Sequence, residues 1–228
     1  MSINDITLGN GMRHNLFSLQ SLTMDQARTS LRLATGKRVN SAIDDASNYF
    51  AAKDHMNHAN DLAARKDAMG EGIQTITAAS SGIDGITALI TQAKGLITSA
   101  RSATTADRAT LATQYTALLT QIDTLSADGG YKGTNLLKTG GSLVVSFNET
   151  GSSKVTVTGF DATSAGLGVT AAAGSWALDS NLDTAQTQLD TATGTLRTNA
   201  ASLAANSGVI SARESFTDSL INTLTQGS

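Results

Sequence analysis

Two rows of apolar residues, each recurring at every seventh position, dominate the chain. Leu62, Met69, Ile76, Ile83, Ile90 and Ile97 form the first; Leu182, Leu189, Leu196, Leu203 and Ile210 form the second, which runs on through Thr217 to Leu224. A heptad sustained over this many turns keeps one apolar stripe on one helix face and predicts coiled-coil-like helices. The companion row of the first is weaker, Ala59, Lys66, Ile73, Ser80, Thr87 and Lys94, and that of the second runs Leu178, Ala185, Ala192, Asn199, Asn206, Arg213 and Leu220. A helix from about residue 44 to 100 would be about 85 Å long at roughly 1.5 Å per residue. Two such helices with matching single seams are expected to pack antiparallel.

Shorter patterns fill the rest. Met12, Leu16, Leu19, Thr23, Ala27, Ser30 and Ala34 make a thin amphipathic stripe over residues 1–35, which as an isolated helix is marginal in water and is expected to order only against partners. Gly36–Asn40 interrupts it. Ser41 followed by Asp44 then reads as a capping start, the hydroxyl and the carboxylate three residues later satisfying each other's backbone donors, and Asp44 and Asp45 suit the positive end of a helix dipole. Leu111, Tyr115, Leu118, Ile122 and Leu125 predict a shorter helix ending at Asp128-Gly129-Gly130, where glycine permits a left-handed closing conformation. Between 131 and 176 the period drops to two. Leu143–Phe147 and Lys154–Thr158, rich in β-branched residues, flank Asn148–Ser153 and predict a hairpin; Ala162–Gly174 reads as a small-residue loop.

The expected fold is therefore mainly α: an elongated antiparallel helical bundle or coiled coil with a small β-hairpin region inserted between its helical halves. Its expected parts are an N-terminal helical segment (1–43), long and short helices (44–130), the hairpin and loop region (131–176) and a C-terminal helix (177–228).

Composition sharpens this picture. The 228 residues include no proline and no cysteine, although about eleven prolines would be expected at roughly 0.05 per residue. Missing prolines permit very long uninterrupted helices. Missing cysteines exclude disulfide frameworks, thiolate metal sites and thiol nucleophiles. Charged residues are only 15%, and polarity comes from Ser, Thr, Asn and Gln. A net charge of -3 gives no footprint for nucleic acid, no apolar run approaches a membrane span of about 20 residues, and the N-terminus lacks a secretory leader's charged head and apolar middle.

Candidate chemistry is sparse. His55 and His58, three apart, could share a metal, but no third ligand stands in an obvious position and a solvated helix face is the plainer reading. Asp44-Asp45 has no neighbouring nucleophile and reads as a helix start. The glycines at 129, 130, 133, 140 and 141 match neither dinucleotide nor P-loop spacing. Asn148-Glu149-Thr150 fits a glycosylation sequon of low specificity. Tyr131, Phe147, Phe160 and Trp176 read as hairpin packing residues. A catalytic site needs several perturbed groups in a convergent pocket, so an enzyme is not expected, nor any cofactor or metal.

The segment Ala34-Thr35-Gly36-Lys37-Arg38-Val39-Asn40-Ser41-Ala42-Ile43-Asp44-Asp45-Ala46 closely resembles the "GxRxNSAxDDA" stretch of bacterial flagellins. In the same order, Gly70–Ile76 resembles their "NDGIS" region, Tyr131–Leu137 their "FNGxxLL" element, and the last helix, with Leu203-Ala204-Ala205-Asn206 and Arg213, their "LGAxQNR" helix. The resemblance implies an extracellular structural subunit of the flagellar filament: a short flagellin lacking variable outer domains, self-assembling with other flagellin subunits. It also implies delivery through the flagellar type III export apparatus, with no cleaved signal peptide, and an export chaperone for the full-length protein. On this reading Leu16, Leu19, Gly36, Arg38, Asn40, Ser41, Asp44 and Asp45 are the candidate polymerisation residues, and the two heptad rows are the bundle seam. Flagellins continue past the point matching Leu224 into a helix that pairs with the N-terminal one, so the expectation is a missing final helix, an N-terminus frayed or packed opportunistically, and no filaments from this chain alone. The alternatives are a hook–filament junction protein, which shares the terminal helices, or a secreted helical adhesin or binding module using the hairpin tip.

One departure from the family pattern generates a prediction. Many flagellins carry an "RVREL" stretch recognised by vertebrate innate-immune receptors, and the matching positions here are Gln92-Ala93-Lys94-Gly95-Leu96. Two charge-assisted contacts are lost, each worth on the order of 2 kcal/mol in a hot spot. Receptor activation is expected to be weak or absent; a reporter response equal to that of an enterobacterial flagellin would refute this.

Overall fold

The computed structural model describes residues 9–227. Along them run α1 (Asn10–Thr35), α2 (Ala46–Arg101), α3 (Thr105–Asp128), β1 (Ser142–Ser146), β2 (Lys154–Thr158), a short 3-10 turn (Ala173–Trp176) and α4 (Asp179–Gln226). The first eight residues of the expected N-terminal stripe lie outside the described residues. Contacts divide the chain into two compact units, Met1–His58 with Leu224–Ser228, and Ala59–Thr223.

In the larger unit the heptad rows do the packing. Leu62, Met69, Ile76, Ile83, Ile90 and Ile97 of α2 are buried, as are Leu182, Leu189, Leu196, Leu203 and Ile210 of α4. Three ion pairs between the helices fix direction and register: Arg101 with Asp183 at 2.7 Å, Lys94 with Asp190 at 2.8 Å, and Lys66 with Asp218 at 2.5 Å. Every step back along α2 is matched by an equal step forward along α4, seven residues from the first pair to the second and four heptads more (94 to 66 against 190 to 218) to the third. The helices are antiparallel, and no stutter intervenes. That register sets the rows opposite each other, Ile97 near the level of Leu189, Ile90 near Leu196 and Ile83 near Leu203. Exposed ion pairs of this kind contribute about 0–1 kcal/mol each. The buried aliphatic side chains, at about 1.5–3 kcal/mol apiece, carry the stability, and the pairs select the register.

The α2–α3 junction is held by one side chain that the sequence does not advertise. Thr104 caps α3, its hydroxyl accepting from the Asp107 N–H at 3.3 Å and donating to the Asp107 carboxylate at 2.7 Å. One turn on, Arg108 donates from Nε to the Ala100 carbonyl (2.8 Å) and from Nη2 to the Arg101 carbonyl (3.3 Å), and its Nη1 pairs with Asp179 at 2.8 Å. It thus adds donors to carbonyls at the end of α2, that of Ala100 also accepting from the Ala103 N–H at 3.2 Å, and ties that end to the first turn of α4. Beside α3, α2 buries a second row, Ala79, Gly82, Ile86, Ala93 and Ala100.

Past Asp128 the chain turns back. Gly129 closes α3 at φ −70°, ψ 24°, so the expected left-handed conformation is not adopted there. Glycine is needed for room instead. A methyl group on Gly129 or on Gly82 would collide with Leu137 Cδ1, and the two glycines form the slot that buries Leu137 completely. Polar anchors seat it. Ser126 donates to the Leu137 carbonyl (2.9 Å), Asn135 Nδ2 donates to the Ser126 and Ala127 carbonyls (2.9 and 3.0 Å), and the Leu137 N–H donates to Asn135 Oδ1 (2.8 Å).

The hairpin follows, with β1 and β2 antiparallel in the register Ser142↔Thr158 to Ser146↔Lys154. Val145 and Val157 are buried, and Val145 covers Gly72 of α2. Asn148 closes the loop, with Oδ1 accepting from the Ser153 N–H at 3.0 Å and Nδ2 donating to the Thr150 and Ser152 hydroxyls. Of the four aromatics read as hairpin packing, Phe147 is buried under Arg213 of α4, whose guanidinium lies 5.3 Å from the ring centre. Trp176 instead packs on Tyr115 of α3, ring centres 4.9 Å apart and both fully buried. The backbone pays for that insertion in strain, since Ser175 and Trp176 sit at φ 51° and 59°, a region unfavourable for side-chain-bearing residues.

The glycine slot can be tested by a double-mutant cycle. Gly82→Ala recovers at most about 1 kcal/mol of helix propensity and meets overpacking of about 1–3 kcal/mol, so it is expected to lower the melting temperature. Leu137→Ala alone should cost about 2–5 kcal/mol. Together the two should cost at least about 1 kcal/mol less than their sum, as measured by denaturant unfolding; strict additivity would remove the slot.

Candidate functional site

The smaller unit holds the eight residues suggested as polymerisation positions. Helix α1 forms without burying any residue: Leu16 and Leu19 are 48% and 61% exposed, and Met12, Phe17, Leu22, Met24, Leu31 and Leu33 are exposed as well. It ends at Gly36, whose φ of 68° is the left-handed closing position that favours glycine.

Beyond Gly36 the chain makes a clamped turn around one carboxylate. Asp44 Oδ2 accepts from the backbone N–H groups of Asn40 (3.3 Å) and Ser41 (3.2 Å) and from the Ser41 hydroxyl (3.2 Å). Arg28 of α1 approaches Asp44 Oδ1 to 3.5 Å. The Asn40 side chain donates back to the Lys37 carbonyl at 3.1 Å. The Asn40 N–H is the foremost influence holding the Asp44 carboxyl below the ordinary value of 3.8, with the Ser41 hydroxyl and N–H and the Arg28 charge adding to it against a desolvation cost.

The expected capping box is therefore corrected. Ser41 does not cap α2, because its hydroxyl donates to Asp44 and residues 41–44 form a tight turn closed by the Asp44 N–H on the Ser41 carbonyl at 3.1 Å. The cap is Asp45. Its Oδ1 accepts from the Asn48 N–H at 3.1 Å, the Tyr49 N–H reaches the Asp45 carbonyl at 3.0 Å, and α2 begins at Ala46 rather than 44. The Asn48 N–H is also the leading cause of the lowered Asp45 pKa. The first of two adjacent aspartates closes a turn and the second opens a helix, a division of labour that spacing alone does not distinguish.

The structure brings Asn40, Ser41, Asp44 and Asp45 together in this half-buried turn and leaves Arg38 and Gly36 exposed beside it. Lys37, Arg38, Asn40, Tyr49, Lys53 and Gln226 line an open groove of about 670 Å³ next to it, with His55 also on its wall. Two residues that sequence reasoning passed over stand out: Ile43, 93% exposed between the two clamps, and Phe50, 58% exposed on the first turns of α2. The only hint of Ile43 was an aliphatic residue lodged in a polar cap. The seam residues lie in the other unit, and none of them joins this turn. Both carboxylates are engaged by backbone donors, so the arrangement is suited to holding a shape.

Residues 3–142, more than half of the chain, match the bacterial flagellin N-terminal helical region. The chain belongs to the flagellin family. Members of that family are structural proteins of the extracellular bacterial flagellar filament. Flagellin FljM of Caulobacter vibrioides is 29% identical over 195 residues, covering 81% of this chain and 71% of FljM. FljO of the same organism is 29% identical over 174 residues (75% of this chain, 63% of FljO), and FljN is 32% identical over 94 residues (41% and 34%). The chain thus spans less than two thirds of FljO and about a third of FljN. Among solved structures, Bacillus cereus flagellin shares the fold at 17% identity, with a TM-score of 0.54 over 66% of this chain and 86% of that one. The mainly helical fold with its small two-stranded sheet is flagellin-like.

The turn should respond to acid. Because the folded-state pKa of Asp44 lies below 3.8, its contribution is present above that value and lost as pH falls through the depressed one. Protection of the Asn40 and Ser41 amides, relative to their intrinsic exchange rates, is expected to persist at pH 5 and to be lost as pH falls through the depressed Asp44 pKa below 3.8, and Asp44→Asn should show that loss already at pH 7. Rates in D44N equal to wild type would show that the carboxylate does not hold the turn.

Proposed function

We propose that this flagellin is a structural subunit that joins neighbouring copies through the apolar face of α1 and the Gly36–Asp45 turn, with no catalytic step and no cofactor. The observation that carries this reading is the state of α1. It is a complete 26-residue helix, yet Met12, Leu16, Leu19, Leu22, Leu31 and Leu33 are all exposed. So many exposed large apolar side chains on one helix mark an interaction site, and covering each of them is worth about 1.5–3 kcal/mol. The clamped turn gives that face a fixed exit geometry, with Arg28 reaching from α1 to the carboxylate that organises the turn.

On the same reading the subunit reaches the cell exterior through the flagellar export apparatus, without a cleaved signal peptide and with a dedicated chaperone for the full-length protein. Weak recognition by innate-immune receptors fits the local structure, because Lys94 is committed to Asp190 and Ala93 is buried. Leucine-to-aspartate changes on the apolar face provide the test. Expressed as the full natural chain in a flagellin-deficient host, Leu16→Asp with Leu19→Asp is expected to abolish filaments seen by electron microscopy while leaving the unfolding midpoint of the 59–223 unit within about 2 °C of wild type. Normal filaments from that variant would end the proposal.

A further inference from the structure

The first turn of α1 contains the chain's one Asn-Gly pair, Asn10-Gly11, and both residues are exposed. The Gly9 carbonyl holds this turn, accepting from the Met12 and Arg13 N–H groups at 2.8 and 3.1 Å. The Gly11 N–H stands ahead of these bonds, among the first donors that a helix leaves open, and has no hydrogen-bond partner among the described residues. No side chain caps the turn and no acid stands in it. Because α1 buries none of its residues, little besides its own backbone bonds opposes fraying at this end. Space around the glycine is open, since a methyl group added there would meet nothing within 4 Å.

Asparagine followed by serine occurs at two further places, and both are held. Asn40 Nδ2 donates to the Lys37 carbonyl at 3.1 Å, and the Ser41 N–H donates to Asp44 at 3.2 Å. Asn206 lies inside α4, its Nδ2 donating to the Ser202 carbonyl at 3.0 Å. We infer that Asn10 is a site of spontaneous deamidation, converted without an enzyme to aspartate and isoaspartate. In the opened turn the Gly11 nitrogen gives its proton to solvent and attacks Asn10 Cγ. The new N–Cγ bond closes a five-membered succinimide, the Cγ–Nδ2 bond breaks, and Nδ2 takes up a proton and leaves as ammonia. Water then adds to one of the two ring carbonyls. Addition at Cγ leaves an aspartate side chain, whereas addition at the main-chain carbonyl carbon leaves the backbone routed through Cγ, as isoaspartate. Glycine favours the closure because it has no Cβ and reaches backbone conformations that other residues avoid. Either product adds one carboxylate to a chain of formal net charge -3. The aspartate meets the open donors of the first turn, where negative charge is favourable, while the isoaspartate lengthens the main chain and displaces the helix start. The chemistry is that of the turn itself and owes nothing to assembly.

The full chain is incubated at mildly alkaline pH, folded and in denaturant. Peptide mapping by mass spectrometry then reads the exchange of NH2 for OH at each asparagine, and labelling by an isoaspartyl methyltransferase reads the isoaspartate. A frayed end opens at almost no free-energy cost, so the folded chain is expected to lose the Asn10 amide within about tenfold of its denatured rate. Asn40 and Asn206 are expected to slow far more on folding. A folded rate at Asn10 more than about tenfold below the denatured one, or equal slowing at all three asparagines, overturns the site. Gly11→Ala, whose methyl group restricts the backbone turn that the ring needs, is expected to slow the loss about tenfold in both states. An unchanged rate in that variant, or aspartate formed with no isoaspartate in the wild type, overturns the cyclic route.

Discussion

The seam between α2 and α4 is the constraint from which the larger unit follows. Two heptad rows meet antiparallel with no insertion between Arg101–Asp183 and Lys66–Asp218. A one-residue slip would turn every Ile of one helix away from its facing Leu. Such a seam is narrow, so it leaves flanks of both helices to be covered by something else. Near the α2 C-terminus the cover is α3, anchored by Arg108. Farther down it is the hairpin, through Val145 over Gly72 and Phe147 under Arg213. Helix and hairpin thus do the same job on successive stretches of one two-helix scaffold.

What could be read from the chain beforehand divides along physical lines. Periodicity is a sum over many turns, so single misfits such as Thr217 do not spoil it, and the long helices, the shorter α3 and the hairpin strands were all visible in it. Local capping was not, because adjacent acids compete for the same role. Ser41–Asp44 and Asp45–Asn48 both fit a helix start, and only the backbone geometry decides between them. Gly129 was misread for a related reason. Glycine after a helix has two uses, conformational freedom and space, and the second depends on a residue eight positions later, Leu137, meeting a third one on another helix, Gly82. Trp176 was assigned to the hairpin by proximity in sequence, whereas it packs on Tyr115. Family resemblance, by contrast, rested on several unlike residues at fixed spacing, and residues 3–142 match the flagellin helical region.

The two units use their apolar residues in opposite ways. In the larger one, large aliphatic side chains at seam positions are almost all buried. In the smaller one, α1 has comparable side chains and buries none of them. The difference lies in what each segment meets within its own chain. The turn around Asp44 is the polar feature that links the two helices of the smaller unit: three donors meet on one carboxylate oxygen between α1 and the start of α2, and the apolar side chains of α1 stay uncovered beside it.

Threonine is the polar residue that α2 and α4 use most conspicuously on their outer faces, and its hydroxyls are nearly all spoken for. Thr77, Thr91 and Thr98 of α2 and Thr184, Thr187, Thr191, Thr195 and Thr198 of α4 each donate to the carbonyl four residues earlier. A hydroxyl that carries its own acceptor along the helix does not need water for its proton. Lysine or glutamate in those places would have to shed a tightly held hydration shell before touching another surface. Long faces built this way are wettable yet cheap to dry, and they can be pressed against a neighbour, slid along it or peeled off with little electrostatic reorganisation.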